Sequence, residues 1–155
     1  MIKQIDCIEG QPIRYDDVAQ TLSFMGRGRI DDDGYGSAHK DPDHQNDTTL
    51  HLNGRALNAD VDFYIVIPEQ VPNEVPPIVL GSLVEVTYNG VTVLAVVGDT
   101  GPKKRLGEMS IALAKALGIN ADPNIGGDDY PTVSYLIHMG VPALVNGIQY
   151  ALQPA

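Results

Sequence analysis

The sequence predicts a mainly β domain with one principal helix, and three observations carry that expectation. The chain holds 16 glycines and 11 prolines, a supply of turn formers that suits many short strands better than long helices. Asn89-Gly90 stands between two β-branched runs; such a pair is the strongest short-range hairpin signal, because a type I′ turn needs φ > 0 at both central residues. A single segment, Glu108 to Leu117, has helical spacing and composition. With 155 residues, the chain is expected to form one domain over 1–155. A chain of that size buries about 70% of its unfolded surface, so a core forms without staples.

The first third reads as polar and turn-rich, and the strands are expected after residue 60. Phe63-Tyr-Ile-Val-Ile-Pro68 is short, β-branched and aromatic and stops at a proline, as a buried strand does. Leu83 to Tyr88 and Val91 to Val97 form the hairpin around Asn89-Gly90, and the second of them is apolar almost throughout, hence central. In the expected helix, Ala112, Ala114 and Ala116 favour the conformation, and Met109, Leu113 and Leu117 recur at helical spacing. Gly118 fits a left-handed C-terminal residue. Thr132 to Ile137 reads as another strand, and Asn146-Gly147 as the turn of a last hairpin between Ala143-Leu-Val145 and Ile148-Gln-Tyr150.

Composition narrows the function. Hydrophobic residues make up 43% and charged ones 19%, as in ordinary soluble domains. Cys7 is the only cysteine, so an internal disulfide is excluded and a reducing compartment is compatible. The start, Met1-Ile-Lys-Gln-Ile-Asp-Cys7, lacks the apolar stretch of a signal peptide; export, if any, is expected by a non-classical route. No run of ~18 apolar residues exists, so no membrane partner is expected. A net charge of -10 opposes nucleic acid binding, which needs Lys and Arg in excess. The same charge attracts a polycation, or simply keeps the protein soluble.

The chemistry is expected where the apolar run ends. Gly98-Asp99-Thr100-Gly101-Pro102 follows Val97 at once, and an acid at the end of a central strand is held by rigid backbone beside low-dielectric packing. Lys103-Lys-Arg-Leu-Gly107 then leads to Glu108, expected at the first turn of the helix. Asp99 and Glu108 are at most about 30 Å apart along an extended chain. Gly101, Pro102 and Gly107 favour a fold-back that brings the two acids to opposite sides of a cleft. Glycosidic cleavage needs such a pair, one carboxyl protonated for the leaving oxygen and the other ionised to activate water or attack the anomeric carbon. The same residues also suit plainer roles, Glu108 as a dipole-compensating residue and Asp99 as a turn former.

The stretch Gly98-Asp-Thr100…Gly107-Glu-Met-Ser-Ile-Ala-Leu-Ala114 resembles the motif of glycoside hydrolase family 75, the endo-chitosanases. The likeness runs in order through Ile30-Asp-Asp-Asp-Gly34, Asp41-Pro-Asp-His-Gln45 with Thr48-Thr49-Leu50, Leu57-Asn-Ala59, Tyr64-Ile-Val-Ile-Pro68, Val133-Ser-Tyr-Leu-Ile137 and Gly140. It spans roughly 28 to 140. The resemblance implies an inverting hydrolase of chitosan or a related amino-sugar polymer, with Asp99 and Glu108 as essential acids and no cofactor. The chain departs from the family pattern at Met109, commonly Ala, and in its basic loop Lys103-Lys104-Arg105. Val96-Val-Gly-Asp-Thr-Gly-Pro102 with the segment 108–118 is also similar to the core of double-psi β-barrel proteins, among them lytic transglycosylases and expansin-like proteins. That likeness implies a six-stranded double-psi β-barrel with the site in a surface groove, Asp99 as proton donor and Glu108 as base.

Asp31-Asp-Asp-Gly34 and Asp41-Pro-Asp43…Asp47 allow three readings: a Ca²⁺ site, although no EF-hand loop is complete, solvated turns, or an acidic wall that binds glucosamine ammonium groups. The resemblance favours the wall, with Asp33 and Asp41 in matched motifs. Tyr35, Tyr130 and Thr100 complete the expected substrate contacts, Tyr135 belongs to the core, and Asp60 and Asp62 serve a turn. His39, His44, His51 and His138 lack zinc spacing, and no metal is assigned. A monomer is expected. Two other functions fit the same fold: a peptidoglycan-cleaving lysin or antibacterial effector, and a non-catalytic sugar-binding, expansin-like module.

Overall fold

The computed structural model describes residues 1–34, 45–68, 78–101 and 105–153, and residues 2–31, expected to be turn-rich, form three strands. β1 (Ile2–Ile8) and β2 (Gln11–Asp16) form an antiparallel hairpin, and β3 (Thr21–Asp31) adds antiparallel to β2. Their burial runs at period two: Ile13 and Tyr15 in β2 and Leu22 and Phe24 in β3 face inward, while Arg14 and Met25 stay exposed. Half-buried strands of this kind look polar in composition because only every second residue is apolar.

Beyond β3, the short β4 (His51–Leu52) and β5 (Arg55–Ala56) pair with each other outside the main sheet. β6 (Tyr64–Pro68) is buried at every residue, as its apolar run predicts. β7 (Ser82–Tyr88) and β8 (Val91–Gly101) pair around Asn89 and Gly90, whose φ of 49° and 78° are those of the expected turn. β8 does not stop at Val97 but continues through Asp99 to Gly101.

The helix is shorter than its sequence pattern. β9 (Glu108–Ser110) is a strand, and α1 (Ile111–Leu117) begins only after Ser110. Ser110 is the reason: its extended backbone (φ -65°, ψ 158°) and its Oγ, which accepts the Leu113 amide at 3.2 Å, make it the N-cap. Gly118 closes the helix in the left-handed conformation (φ 81°), with the Ile119 amide reaching back to the Ala114 carbonyl at 2.9 Å. β10 (Asp128–Pro142) contains the strand expected at Thr132 to Ile137, and β11 (Leu144–Val145) with β12 (Ile148–Gln149) forms the last hairpin.

β3, β10, β7, β8, β6 and β9 pair in that order, and β9 returns to β3, closing a six-stranded barrel with β1 and β2 as extra strands. The pairs β6–β8 and β3–β9 are parallel and the other neighbours antiparallel. Closure leaves these six strands without a free edge. Tyr64, Ile65, Val84, Val96, Val97, Met109, Leu113 and Ile137 are fully buried in the core. Tyr135 joins them as expected, stacked on Phe24 with its hydroxyl donating to the Arg27 carbonyl at 2.8 Å. No helix among the described residues is long and apolar enough to cross a membrane.

Candidate active site

Sheet register brings Asp99 and Glu108 together. Val66 of β6 pairs on one side with Asp99 of β8 and on the other with Glu108 of β9. Residues directly opposite in neighbouring strands face the same way, so the two acids stand on one face with Val66 between them. Two strand spacings put their Cα atoms about 10 Å apart. Glu108 is therefore a strand residue in the barrel wall, not a first-turn helix residue, and the two acids share one face instead of lining opposite sides of a cleft. The expected fold-back does occur, since β9 lies against the same strand as β8.

A bulge aims Asp99. Ile65 pairs with Val97 and Val66 with Asp99, so Gly98 has no opposite residue; without that extra residue the Asp99 side chain would point to the other face. Only glycine fits there. A Cβ on Gly98 would lie 2.6 Å from Leu57 Cδ1 and 2.7 Å from Tyr64 Cβ. The Gly98 carbonyl accepts the Leu50 amide at 2.9 Å, which draws the segment carrying Thr49 alongside. Thr49 then donates to Asp99 Oδ1 from its amide (3.0 Å) and its hydroxyl (2.9 Å), and the Thr100 amide adds a third bond at 3.0 Å.

Two further glycines seat Glu108. Gly107, at φ 88°, lies so close to β3 that a Cβ would stand 1.9 Å from the Arg27 carbonyl oxygen, and its own carbonyl accepts the Arg29 amide at 2.8 Å. Gly101 leaves room for the carboxylate, since a Cβ there would meet Glu108 Oε2 at 2.9 Å. Arg29 of β3 pairs in register with Glu108, and Asp31 with Ser110. The row across the wall thus reads Asp99, Val66, Glu108, Arg29, with Asp31 one step along β3.

These residues line a cavity of about 800 Å³, together with Asp33, Gln45, Thr100 and Arg105. Burial pushes the Asp99 carboxyl up to about 6 despite the Thr49 and Thr100 hydrogen bonds that favour its charged form. Burial also raises Glu108, against the Arg105 guanidinium, which lies 3.4 Å from Oε1, and Arg29. Asp31 is raised furthest, to about 9, by burial and by the charge of Asp33. Three acids whose carboxyls are all raised by burial therefore face one cavity.

Of the expected substrate contacts, Asp33 and Thr100 line the cavity. Tyr130 is 73% exposed on β10 and lies outside that lining, in the stretch where the β10 register slips between Asp128 and Val133. Tyr35 and Asp41 fall outside the described residues, as do His39, His44, Lys103 and Lys104. Asp31, Asp32 and Asp33 hold carboxylate oxygens within 4.8 Å of one another, the cation-compatible cluster among the described residues. The Asp33 amide donates to Asp31 Oδ1 at 3.0 Å and the Gln45 amide to Asp33 Oδ1 at 2.8 Å, so backbone donors already answer part of that charge. His51 pairs with Asp47 at 2.7 Å and His138 with Glu85 at 2.6 Å. Asp62 serves its turn through the Asn58 amide at 2.8 Å and also accepts the buried Tyr150 hydroxyl at 2.9 Å.

The family described as fungal chitosanase of glycosyl hydrolase group 75 matches residues 28–152, which include every acid of this cavity. The chain belongs to glycoside hydrolase family 75. No curated protein matches it. As a family 75 member it is an endo-acting glycoside hydrolase with a polysaccharide substrate. The match begins at Gly28, inside β3, so β1 and β2 lie outside it.

The sequence marks Asp99 and Glu108 as candidates but not Thr49, which hydrogen-bonds Asp99, nor Arg29, which pairs with Glu108 in the sheet, nor Glu9, which binds Arg29. Thr49 comes from 50 positions away, and only the Thr-Thr pair inside a matched motif marked its segment. Glu9 accepts hydrogen bonds from the Arg29 side chain at 2.6 and 2.9 Å and from the Leu106 amide at 2.8 Å. Nothing local distinguishes it from any turn glutamate.

Proposed function

We propose that this family 75 hydrolase cleaves β-1,4 bonds of chitosan or a closely related amino-sugar polymer with inversion, Asp99 acting as proton donor and Glu108 as base. The observation that carries the reading is the shared pairing of both acids with Val66. A separation of about 10 Å between Cα atoms is compatible with carboxyls about 6.5–9.5 Å apart, the spacing that leaves room for a water.

The three donors on Asp99 Oδ1 leave Oδ2 to carry the proton. Asp99 passes that proton to the glycosidic oxygen as the bond to the anomeric carbon breaks. Glu108 takes a proton from water, whose oxygen bonds to the anomeric carbon from the opposite face. Solvent then returns both carboxyls to their starting states. Asp33 supplies an acceptor for the ammonium group of a glucosamine unit, and Thr100 a hydroxyl beside the donor.

The test uses chitosan oligomers of defined length. Asp99→Asn and Glu108→Gln should each lower kcat at least about 10²-fold with the fold retained by circular dichroism, and the first product seen by NMR should be the α-anomer. Full activity in both variants would remove these residues from the chemistry, and a β-anomer would remove inversion. A second substrate reading, peptidoglycan glycan strands, is favoured by Arg105, whose half-exposed guanidinium stands in the cavity where a cationic sugar meets repulsion. Native and deacetylated cell walls assayed beside chitosan separate the two.

A further inference from the structure

We propose that Glu9, in the N-terminal hairpin outside the matched family region, is a positioning residue that sets the charge environment of Glu108. The inference rests on the reading of Glu108 as the base. Glu9 sits in the turn between β1 and β2 and reaches Arg29, which lines the cavity. Both of its oxygens are engaged. Oε2 pairs with Arg29 Nη2 at 2.6 Å and with Arg27 Nη2 at 3.5 Å, and Oε1 accepts from Arg29 Nη1 at 2.9 Å and from the Leu106 amide at 2.8 Å. The side chains of Glu9 and Arg29 each keep about a fifth of their surface exposed, although the turn that carries Glu9 is open to solvent, and a forked pair of this kind fixes orientation as well as charge.

The consequence falls on Glu108. Arg29 lies directly across from it in the β3–β9 register and lines the same cavity. An Arg29 free to turn toward Glu108 would neutralise the carboxylate that has to accept a proton from water. The fork with Glu9 turns the guanidinium to the hairpin and offsets its charge, while the bond to Leu106 anchors the chain two residues before Glu108. Among the described residues, the other titratable groups that face Glu108 come from the neighbouring elements: Arg105 on its own approach, Asp31 and Asp33 at the end of β3, Asp99 on β8 and the Tyr135 hydroxyl on β10. Among the described residues, the cations beside Glu108 differ: Arg29 has a dedicated counter-charge in Glu9, and Arg105 is half exposed. The family region supplies Arg29; the hairpin supplies its restraint.

The test follows the ¹³C signal of the Glu108 carboxyl against pH, assigned by comparison with Glu108→Gln, in parallel with the pH profile of kcat/KM on chitosan oligomers. Glu9→Gln keeps an acceptor for Leu106 but leaves Arg29 uncompensated, so the Glu108 midpoint and the acid limb should both move down by about 0.5 pH. Arg29→Gln leaves Glu9 uncompensated and should move the midpoint up, which keeps the idea testable if Glu9→Gln is poorly folded. The double variant should return close to the wild-type midpoint, a rescue that a merely structural role would not give. An unmoved midpoint in a folded single variant overturns the proposal. A midpoint that moves while the acid limb stays supports the role of Glu9 and instead removes Glu108 as the base.

Discussion

Asp99 and Glu108 flank the same valine, yet the protein holds them by opposite means. Asp99 is fixed by three neutral donors on one oxygen, and no cation among the described residues touches it. Glu108 has Arg105 against one oxygen and Arg29 beside it in the sheet. Burial raises both, but only Glu108 is pulled back by positive charge. Two acids on one wall therefore sit in different electrostatic surroundings, as the proposed donor and base require. The difference also shows which parts of the wall are expensive to disturb: Asp99 depends on backbone geometry, Glu108 on charge.

The largest effect is therefore expected from the backbone side. Gly98→Ala places a methyl group within 2.7 Å of both Leu57 and Tyr64, and overpacking of this kind costs about 1–3 kcal/mol. The only relief is to undo the bulge, which turns Asp99 away from Thr49 and the cavity. Urea unfolding should show that loss, and the folded fraction should lack most of its activity. Near-native activity in a folded Gly98→Ala would mean that the bulge does not aim Asp99.

Much of this arrangement was legible in the chain, and the part that was not has a physical reason. Asn89-Gly90 declared its hairpin because few other pairs tolerate two positive φ values. The run ending at Pro68 declared a buried strand because no other element buries five consecutive apolar residues so briefly. Met109 misled: its spacing from Leu113 suits a helix, yet it is buried as the partner of Ile65, and Ser110 alone marked the true helix start. β3 was hidden because Gly26 and Gly28 occupy inward positions that composition scores as turn. The acids were found through ordered motifs around them. Their supports were not, because Thr49 and Glu9 act across the fold, and pairing over such distances leaves no periodic trace.

A middle-sized effect separates function from stability at Asp99. Its folded proton affinity, about 6, lies above the ordinary 3.8, so the folded state binds more protons than the unfolded one between those values. Stability from this group is full below pH ~4, falls as pH rises through ~6 and is flat above. The cost at neutral pH is about 3 kcal/mol. Asp99→Asn never ionises and should be more stable than the parent by up to that amount at pH 7, with the difference vanishing near pH 4. Thermal unfolding at the two pH values measures it; an equal difference at both would show that burial does not charge Asp99 this penalty.

The smallest effects should be a mirrored pair of pH shifts, one for each acid. Thr49→Val deletes a hydroxyl bond that favours ionised Asp99, so Asp99 should hold its proton to higher pH and the alkaline limb of kcat/KM should move up. Arg105→Gln deletes a cation that favours ionised Glu108, so the acid limb should move up while the alkaline limb stays. Because Arg105 is half exposed, solvent and salt screen it, and its shift should shrink on raising the ionic strength. The Thr49 shift has no charge to screen and should not. If both limbs moved together in either variant, the two acids would be titrating as one coupled pair, and the division of the wall into a hydrogen-bonded donor and a cation-flanked base would fail.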